Sequence, residues 1–280
     1  MTHGPVIAAR YRLDQWIGRG ASGDVFRATD LQRALPVAIK LLASRGAAAG
    51  QASETWAREL AAAQRLQHPS IATVLDAGRT EGRDWLVLRL AKGASLERYV
   101  LPRHLLPDPL VLAVGARMAD ALAHAHSHGV VHRDLKPSNV MVDLPTMQVT
   151  LLDFGVARID GGMVTRTGMT LGTPSYMSPE QLAGQPASPA SDTYALGVLL
   201  FEMFTGQRPH RGDSLGLLLR SMATQAAAQL SELRPDLPPR VPAELQPLLS
   251  AEPGQRPGNL AALSQRLQAM SDHWSAPDRR

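Results

Sequence analysis

Residues 132–139 read HRDLKPSN, and residues 153–155 read DFG. The first stretch supplies a carboxylate, Asp134, and five residues later an amide, Asn139; the second supplies another carboxylate, Asp153. A carboxylate can orient a hydroxyl or take its proton, and hard oxygen donors suit magnesium carried by a nucleotide. Together these residue types point to transfer of a phosphoryl group onto a hydroxyl.

Upstream, residues 17–25 read IGRGASGDV, with Ile17 opening the stretch, Val25 closing it, and Gly18, Gly20 and Gly23 between two predicted strands. Glycine there lets backbone amides approach phosphate oxygens with no Cβ in the way. A plain Gly-rich hairpin would read the same, and a dinucleotide-binding turn is disfavoured because a strand, not a helix, follows. Val37, Ala38, Ile39 and Lys40 come next, an apolar strand ending in a lysine. Alone this is a solvated strand end; after a Gly loop it fits an ammonium holding the α- and β-phosphates. The chain writes positive charge as Arg, with 26 Arg against three Lys, at 40, 92 and 136. Two of those lysines lie in these motifs, where a compact ammonium and a wide guanidinium fork are not interchangeable. A buried lysine needs a carboxylate to orient it. A helix predicted over 52–67 offers Glu54 and Glu59. Glu59, mid-helix and well before the His68-Pro69 stop, suits an inward-facing site, whereas the helix dipole accounts for Glu54.

The elements that must position these groups fall into two halves. Residues 11–17, 24–30, 36–42, 71–77 and 84–90 read as strands, with β-branched or aromatic residues between Gly- and Pro-containing turns. Within the 52–67 helix Trp56, Leu60, Ala63 and Leu66 form an apolar stripe. From Leu96 onward the chain reads as mainly helical, with periodic stretches at 110–128, 191–204, 215–229 and 259–270. The link over 89–93 is the expected boundary.

With 280 residues and 44% apolar content, the chain can bury a sizeable core. No run of about 18 or more uncharged apolar residues occurs, and the N-terminus lacks a basic segment followed by an apolar one. The absence of cysteine excludes disulfides and thiolate metal sites. A cytoplasmic location is the expectation. The net charge of +4 is spread over scattered arginines with no basic stripe, so no nucleic-acid partner is expected. His124, His126, His128 and His132 invite a zinc reading, but on a helix 124 and 128 share a face while 126 points away. His132 reads as a packed structural residue.

The ordered series GxGxxGxV, VAIK, a helix Glu, HRDLKPSN, DFG, GTPSYMSPE, a helix carrying Asp192 and finally Arg256 resembles the bacterial eukaryotic-like (Hanks-type) protein Ser/Thr kinases, over about residues 8–270. The resemblance implies an α+β, bilobal protein-kinase-like fold. Its β-rich N-lobe with one helix spans 1–91, its α-rich C-lobe 92–272, and a tail 273–280. It implies ATP with Mg2+, Mn2+ being the alternative ion. Adenine would lie between Val25 and Ala38 above and Met141 below, bonded to backbone near Arg89 and Ala91, with Leu88 as gatekeeper. Asp134 would take or orient the acceptor proton, Lys136 would neutralise the γ-phosphoryl group, Asn139 and Asp153 would bind metal, and Lys40 with Glu59 would set the phosphates. The chain departs from the family at Ser178, where Ala is common, and at Arg89, where an acid is common. Pro242 and Pro247, which interrupt a late helix, bear on the shape of the lower C-lobe.

Between Asp153 and Glu180 stand Thr165, Thr167, Thr170 and Thr173, near Gly161, Gly162 and Gly168. Arg133 is a ready partner for a loop phosphate, which would order the loop through charge-assisted bonds. Thr165 and Thr167 are the expected autophosphorylation sites and Thr170 a further regulatory candidate, although loops favour Thr in any case. Thr173 is expected to bind Asp134 and Lys136. Lys136-Pro137 resembles the Ser/Thr-specific pattern, and GTPSYMSPE, with Glu180 and Arg256, implies a platform for protein substrates. Protein acceptors and self-association for trans-autophosphorylation are the expected partnerships. A small-molecule kinase of related fold, which would lack that platform, and a pseudokinase scaffold are the alternatives.

Overall fold

The computed structural model describes residues 4–20, 23–42, 57, 60–154, 174–212 and 214–274. Among them, the N-terminal part builds a six-stranded sheet of order β1-β2-β3-β4-β6-β5. Its strands are β1 (Val6–Ile7), β2 (Tyr11–Gly20), β3 (Gly23–Asp30), β4 (Leu35–Leu42), β5 (Val74–Thr80) and β6 (Arg83–Arg89), every neighbouring pair antiparallel. Side chains alternate across a strand, and β4 uses both faces. Val37, Ile39 and Leu41 join Tyr11, Leu13, Ala28, Trp85 and Val87 in one cluster. Ala38 and Lys40 therefore project from the opposite face, where α1 (helical residues 60–65) packs Ala63 on Leu86.

The C-lobe is helical: α2 (Asp108–Ser127), α3 (Pro179–Leu182), α4 (Pro189–Thr205), α5 (Leu215–Thr224), α6 (Leu230–Leu233), α7 (Arg240–Leu245) and α8 (Leu260–Asp272). α4 is its axis, since every residue of 191–204 is buried. Ser188 and Ser191 form a capping box at its start, and Gly206 ends it in the left-handed conformation at φ 70°. α2 and α8 pack on each other, and Leu112, Leu122, Leu200, Leu263 and Leu267 join one core.

A second sheet has β7 (Ala94–Ser95), β8 (Val140–Asp143) and β9 (Gln148–Leu151) in the order β7-β8-β9, and β8 and β9 lie in the region expected to be mainly helical. Strands of two to four residues are too short to show a period-two pattern. The sheet links the lobes. Ala72 N–H donates to Leu151 O and Leu151 N–H to Ser70 O, both at 2.9 Å. This pulls residues 70–72 onto β9, so the strand expected over 71–77 is instead β5 at Val74–Thr80.

The helix expected over 215–229 stops at Thr224. Gln225 is extended, and Ala228 N–H donates to Pro209 O at 3.1 Å, a tertiary partner replacing the helical one. Pro242 lies in the first turn of α7 and Pro247 in that of the 3-10 turn Gln246–Leu249, where a missing N–H costs nothing. The prolines thus fit two short turns rather than one interrupted helix.

Candidate active site

Lys40 is 1% exposed, and its Nζ lies 2.7 Å from Asp153 Oδ2. Burying an ammonium without a partner is costly, and Asp153 supplies the counter-charge. Glu59, the partner expected from the sequence, lies outside the described residues. Asp153 reaches this position with a backbone φ of 60°, unusual for a residue bearing a Cβ. Phe154 behind it is buried against His132, ring centroids 4.7 Å apart.

The loop 132–139 brings its polar groups onto Asp134. Lys136 Nζ donates to Asp134 Oδ2 at 2.8 Å. Asn139 Nδ2 donates to Asp134 O at 2.8 Å and lies 3.4 Å from Oδ2. These bonds orient the amide so that Asn139 Oδ1 turns away from Asp134. Asn139 and Asp153 thus offer hard oxygen donors suited to Mg2+, which takes one or two protein ligands and completes its shell with nucleotide phosphates and water. The residues fit the ion.

Above them, β2 and β3 converge with Gly20 paired to Gly23. A Cβ on Gly18 would meet nothing within 4 Å, so no contact demands glycine there. Gly23 is required: at φ 148° it crosses the β4 backbone, where a Cβ would collide with Leu41 O. Val25 pairs with Lys40 and Ala38 with Leu88, so the expected adenine-facing residues share one patch of sheet, and Met141 lies on β8. Arg89 ends β6, and its N–H donates to Thr73 O at 2.9 Å. Ala91 follows the end of β6. Leu88 also lines a small cavity with Lys40, Leu66, Leu86, Asp153 and Phe154.

Farther out, Glu180 and Arg256 meet two-to-two, at 2.8 and 2.9 Å. The Arg256 side chain is fully buried and donates also to the carbonyls of Ala190, Ser250 and Ala251. Burial would raise the Glu180 carboxyl, but hydrogen bonds from Arg256 and Ser191 outweigh it and hold it at about 2. Thr165, Thr167, Thr170 and Thr173 lie outside the described residues.

A family model described as the protein kinase domain matches residues 11–268. The chain belongs to the protein kinase family. Its relatives are bacterial Ser/Thr kinases: it is 35% identical to Serine/threonine-protein kinase pkn3 of Myxococcus xanthus, over 95% of this chain and 51% of that protein. It is 38% identical to Serine/threonine-protein kinase PknA of Mycobacterium tuberculosis, over 88% of this chain and 57% of that one. The kinase domain thus spans little more than half the length of these relatives. Among solved structures it resembles the Mycobacterium tuberculosis PknI kinase domain, with a TM-score of 0.74 and 28% identity over 96% of this chain and 99% of that one.

The sequence series carries Asp192 without a role, and the structure shows what it holds. The Asp192 carboxylate accepts the backbone N–H groups of His132 and Arg133 at 2.8 and 2.9 Å, and His126 Nε2 lies 2.8 Å from Asp192 Oδ2. Gln181 Nε2 donates to Arg133 O at 3.1 Å. A clue existed, since an aspartate near the start of a mainly apolar, buried helix must be satisfied internally. The histidines separate by role. His126 serves Asp192, while His124 stacks between His128 and His68, at centroid distances of 4.4 and 5.1 Å.

Proposed function

We propose that this kinase domain transfers the γ-phosphoryl group of ATP to Ser and Thr hydroxyls of proteins, with Mg2+ as the metal. The observation that carries the reading is the convergence of Lys136 Nζ and Asn139 Nδ2 on Asp134, with Lys40 held on Asp153. When bound, ATP would supply the phosphoryl group, and the ion, held by Asn139 and Asp153, would neutralise its phosphates. Asp134, fixed from two sides, orients the acceptor hydroxyl and takes its proton. Lys136, anchored to Asp134 Oδ2, keeps a positive charge where the transferring group gathers negative charge. Lys40 directs Asp153 and offers its ammonium to the α- and β-phosphates. Asn139 Oδ1 and Asp153 hold the metal. Arg89 O and the backbone at Ala91 receive the adenine edge, between Val25 and Ala38 above and Met141 below, with Ile17, Gly18, Gly20 and Gly23 over the phosphates. Most of the acceleration then comes from position and charge, not covalent chemistry.

The preference for protein acceptors is supported by the Glu180–Arg256 pair, whose buried bonds anchor the segment expected to receive them. Autophosphorylation at Thr165, Thr167 or Thr170, in trans between two copies, belongs to the same reading, with Arg133 and Glu59 in the roles expected from sequence. So does work in the cytoplasm, where ATP is at hand; among the described residues no helix is long and apolar enough to cross a membrane. The test is incubation with labelled Mg-ATP and a generic protein acceptor, beside Lys40→Met and Asp134→Asn. Label on Ser and Thr of the acceptor with wild type, and its loss in both variants, is the expected result. Intact-mass analysis after Mg-ATP, followed by site mapping, checks the loop threonines.

A further inference from the structure

The segment assigned to protein substrates rests on a guanidinium outside all of the motifs above. Ser175 and Tyr176 lie in the 3-10 turn Pro174–Tyr176. Arg208, two residues past the Gly206 cap of α4, donates from Nη1 to Ser175 Oγ. Its Nε stands 3.8 Å from Glu202 Oε1. Glu202 is buried within α4, and its Oε2 accepts the Tyr176 hydroxyl at 2.6 Å.

The segment that carries this cluster borders the catalytic loop, since Gln181, five residues past Tyr176, donates from Nε2 to Arg133 O at 3.1 Å. Burial and Glu202 push the Tyr176 hydroxyl up, and the negative charge of the exposed Glu97 adds to them.

The two charges at this spot are unequal in what they can offer a substrate. Glu202 has one oxygen under a tyrosine hydroxyl and the other beside a guanidinium, and burial favours its neutral form. It is poorly placed to attract a basic side chain. Arg208 is 39% exposed at its side chain, and its ion pair with Glu202 is too long for a hydrogen bond. A guanidinium carries five N–H donors, and one of them is used on Ser175. Arg211, three residues on, is exposed and adds positive charge to the same connection.

We propose that Arg208 is a specificity-determining residue, selecting protein substrates that carry an anionic side chain, carboxylate or phosphate, beside the Ser/Thr acceptor. The proposal rests on the protein-kinase reading above. The fork of N–H groups matches either anion, and the contact gains strength beside a partly desolvated tyrosine.

The experiment uses the whole chain with Mg-ATP and acceptor peptides that differ only beside one Ser: Asp, phosphoserine, Ala or Arg. Wild type is expected to favour an anionic peptide over the Arg peptide by about tenfold in kcat/KM, mainly through KM. Arg208→Glu should invert that order, and Arg208→Lys should keep its sign, which preserves the test if the charge reversal does not fold. A preference for either Asp or phosphoserine supports the proposal, and the two arms tell which anion fits better. The same peptide profile in wild type and Arg208→Glu would overturn it. So would a loss in Arg208→Glu equal for every peptide, because Arg208 would then only brace Ser175. Wild-type protein that labels neither peptides nor a generic protein acceptor would remove the kinase reading itself, and this proposal with it.

Discussion

Asp192 holds Arg133 in a backbone conformation that arginine does not favour. The Arg133 N–H donates to Asp192 Oδ1 at 2.9 Å while φ stands at 71°, in the left-handed region. The catalytic loop is therefore shaped from below, by a carboxylate on a helix buried in the C-lobe. Asp192→Ala leaves the N–H groups of His132 and Arg133 without that acceptor, and each buried donor so stranded costs about 1–3 kcal/mol. The expected outcome is a protein less stable by at least about 2 kcal/mol, with turnover falling more than nucleotide affinity. Urea denaturation and a transfer assay measure the two effects, and unchanged turnover would refute the shaping role.

Asp134→Asn keeps the shape of the side chain but removes the charge proposed to receive the acceptor proton. Nucleotide affinity should persist while turnover drops by roughly 10²- to 10⁴-fold, the usual worth of a general base. Lys40→Met should abolish transfer and strand Asp153, whose salt bridge is lost. Nucleotide titration beside single-turnover transfer separates the two variants, and near-normal turnover in Asp134→Asn would contradict the role given to it.

The Glu180–Arg256 pair makes a pH-dependent contribution to stability. The folded Glu180 carboxyl sits at about 2 against an ordinary value of 4.5, so its contribution is complete above 4.5 and is lost as pH falls toward 2. The stability gap between wild type and Glu180→Gln should be widest near neutral pH and narrow below 4.5. Arg256→Ala strands a largely buried carboxylate and should cost about 3–5 kcal/mol. Denaturant melts across pH test both, and a gap that does not change with pH would exclude the linkage.

Gly197 lies where α4 crosses the turn Gln246–Leu249, and a Cβ there would come within 2.7 Å of Leu248 Cβ and 3.2 Å of Leu249 Cδ2. Gly197→Ala should destabilise by about 1–3 kcal/mol through overpacking, despite the better helix propensity of alanine. A thermal melt that moved upward would show that the contact can relax.

Much of the site was legible because its chemistry is local. HRDLKPSN places Asp134, Lys136 and Asn139 within one turn of chain, and the structure brings all three together. The faces of β4 were not legible, because the strand is apolar on both sides, and the structure sets Ala38 and Lys40 opposite Val37 and Ile39. The long helices α2, α4 and α8 could be read from their apolar periodicity to within two residues at each end. The small sheet could not, since two-residue strands carry no period.

What the sequence by itself determined is the inventory: the carboxylates, amide and ammonium proposed for the chemistry, and a β-rich half followed by an α-rich half. Those properties reside in residue type and short-range spacing. The tertiary structure decided the partners. Asp153 faces Lys40, Asp192 reaches back some sixty residues to Arg133, and Arg208 reaches Ser175 across 33 residues of chain. Such pairings depend on how α4 and the β7–β9 sheet pack. A buried charge takes whichever counter-charge the packing brings within reach, and sequence distance carries no record of that choice.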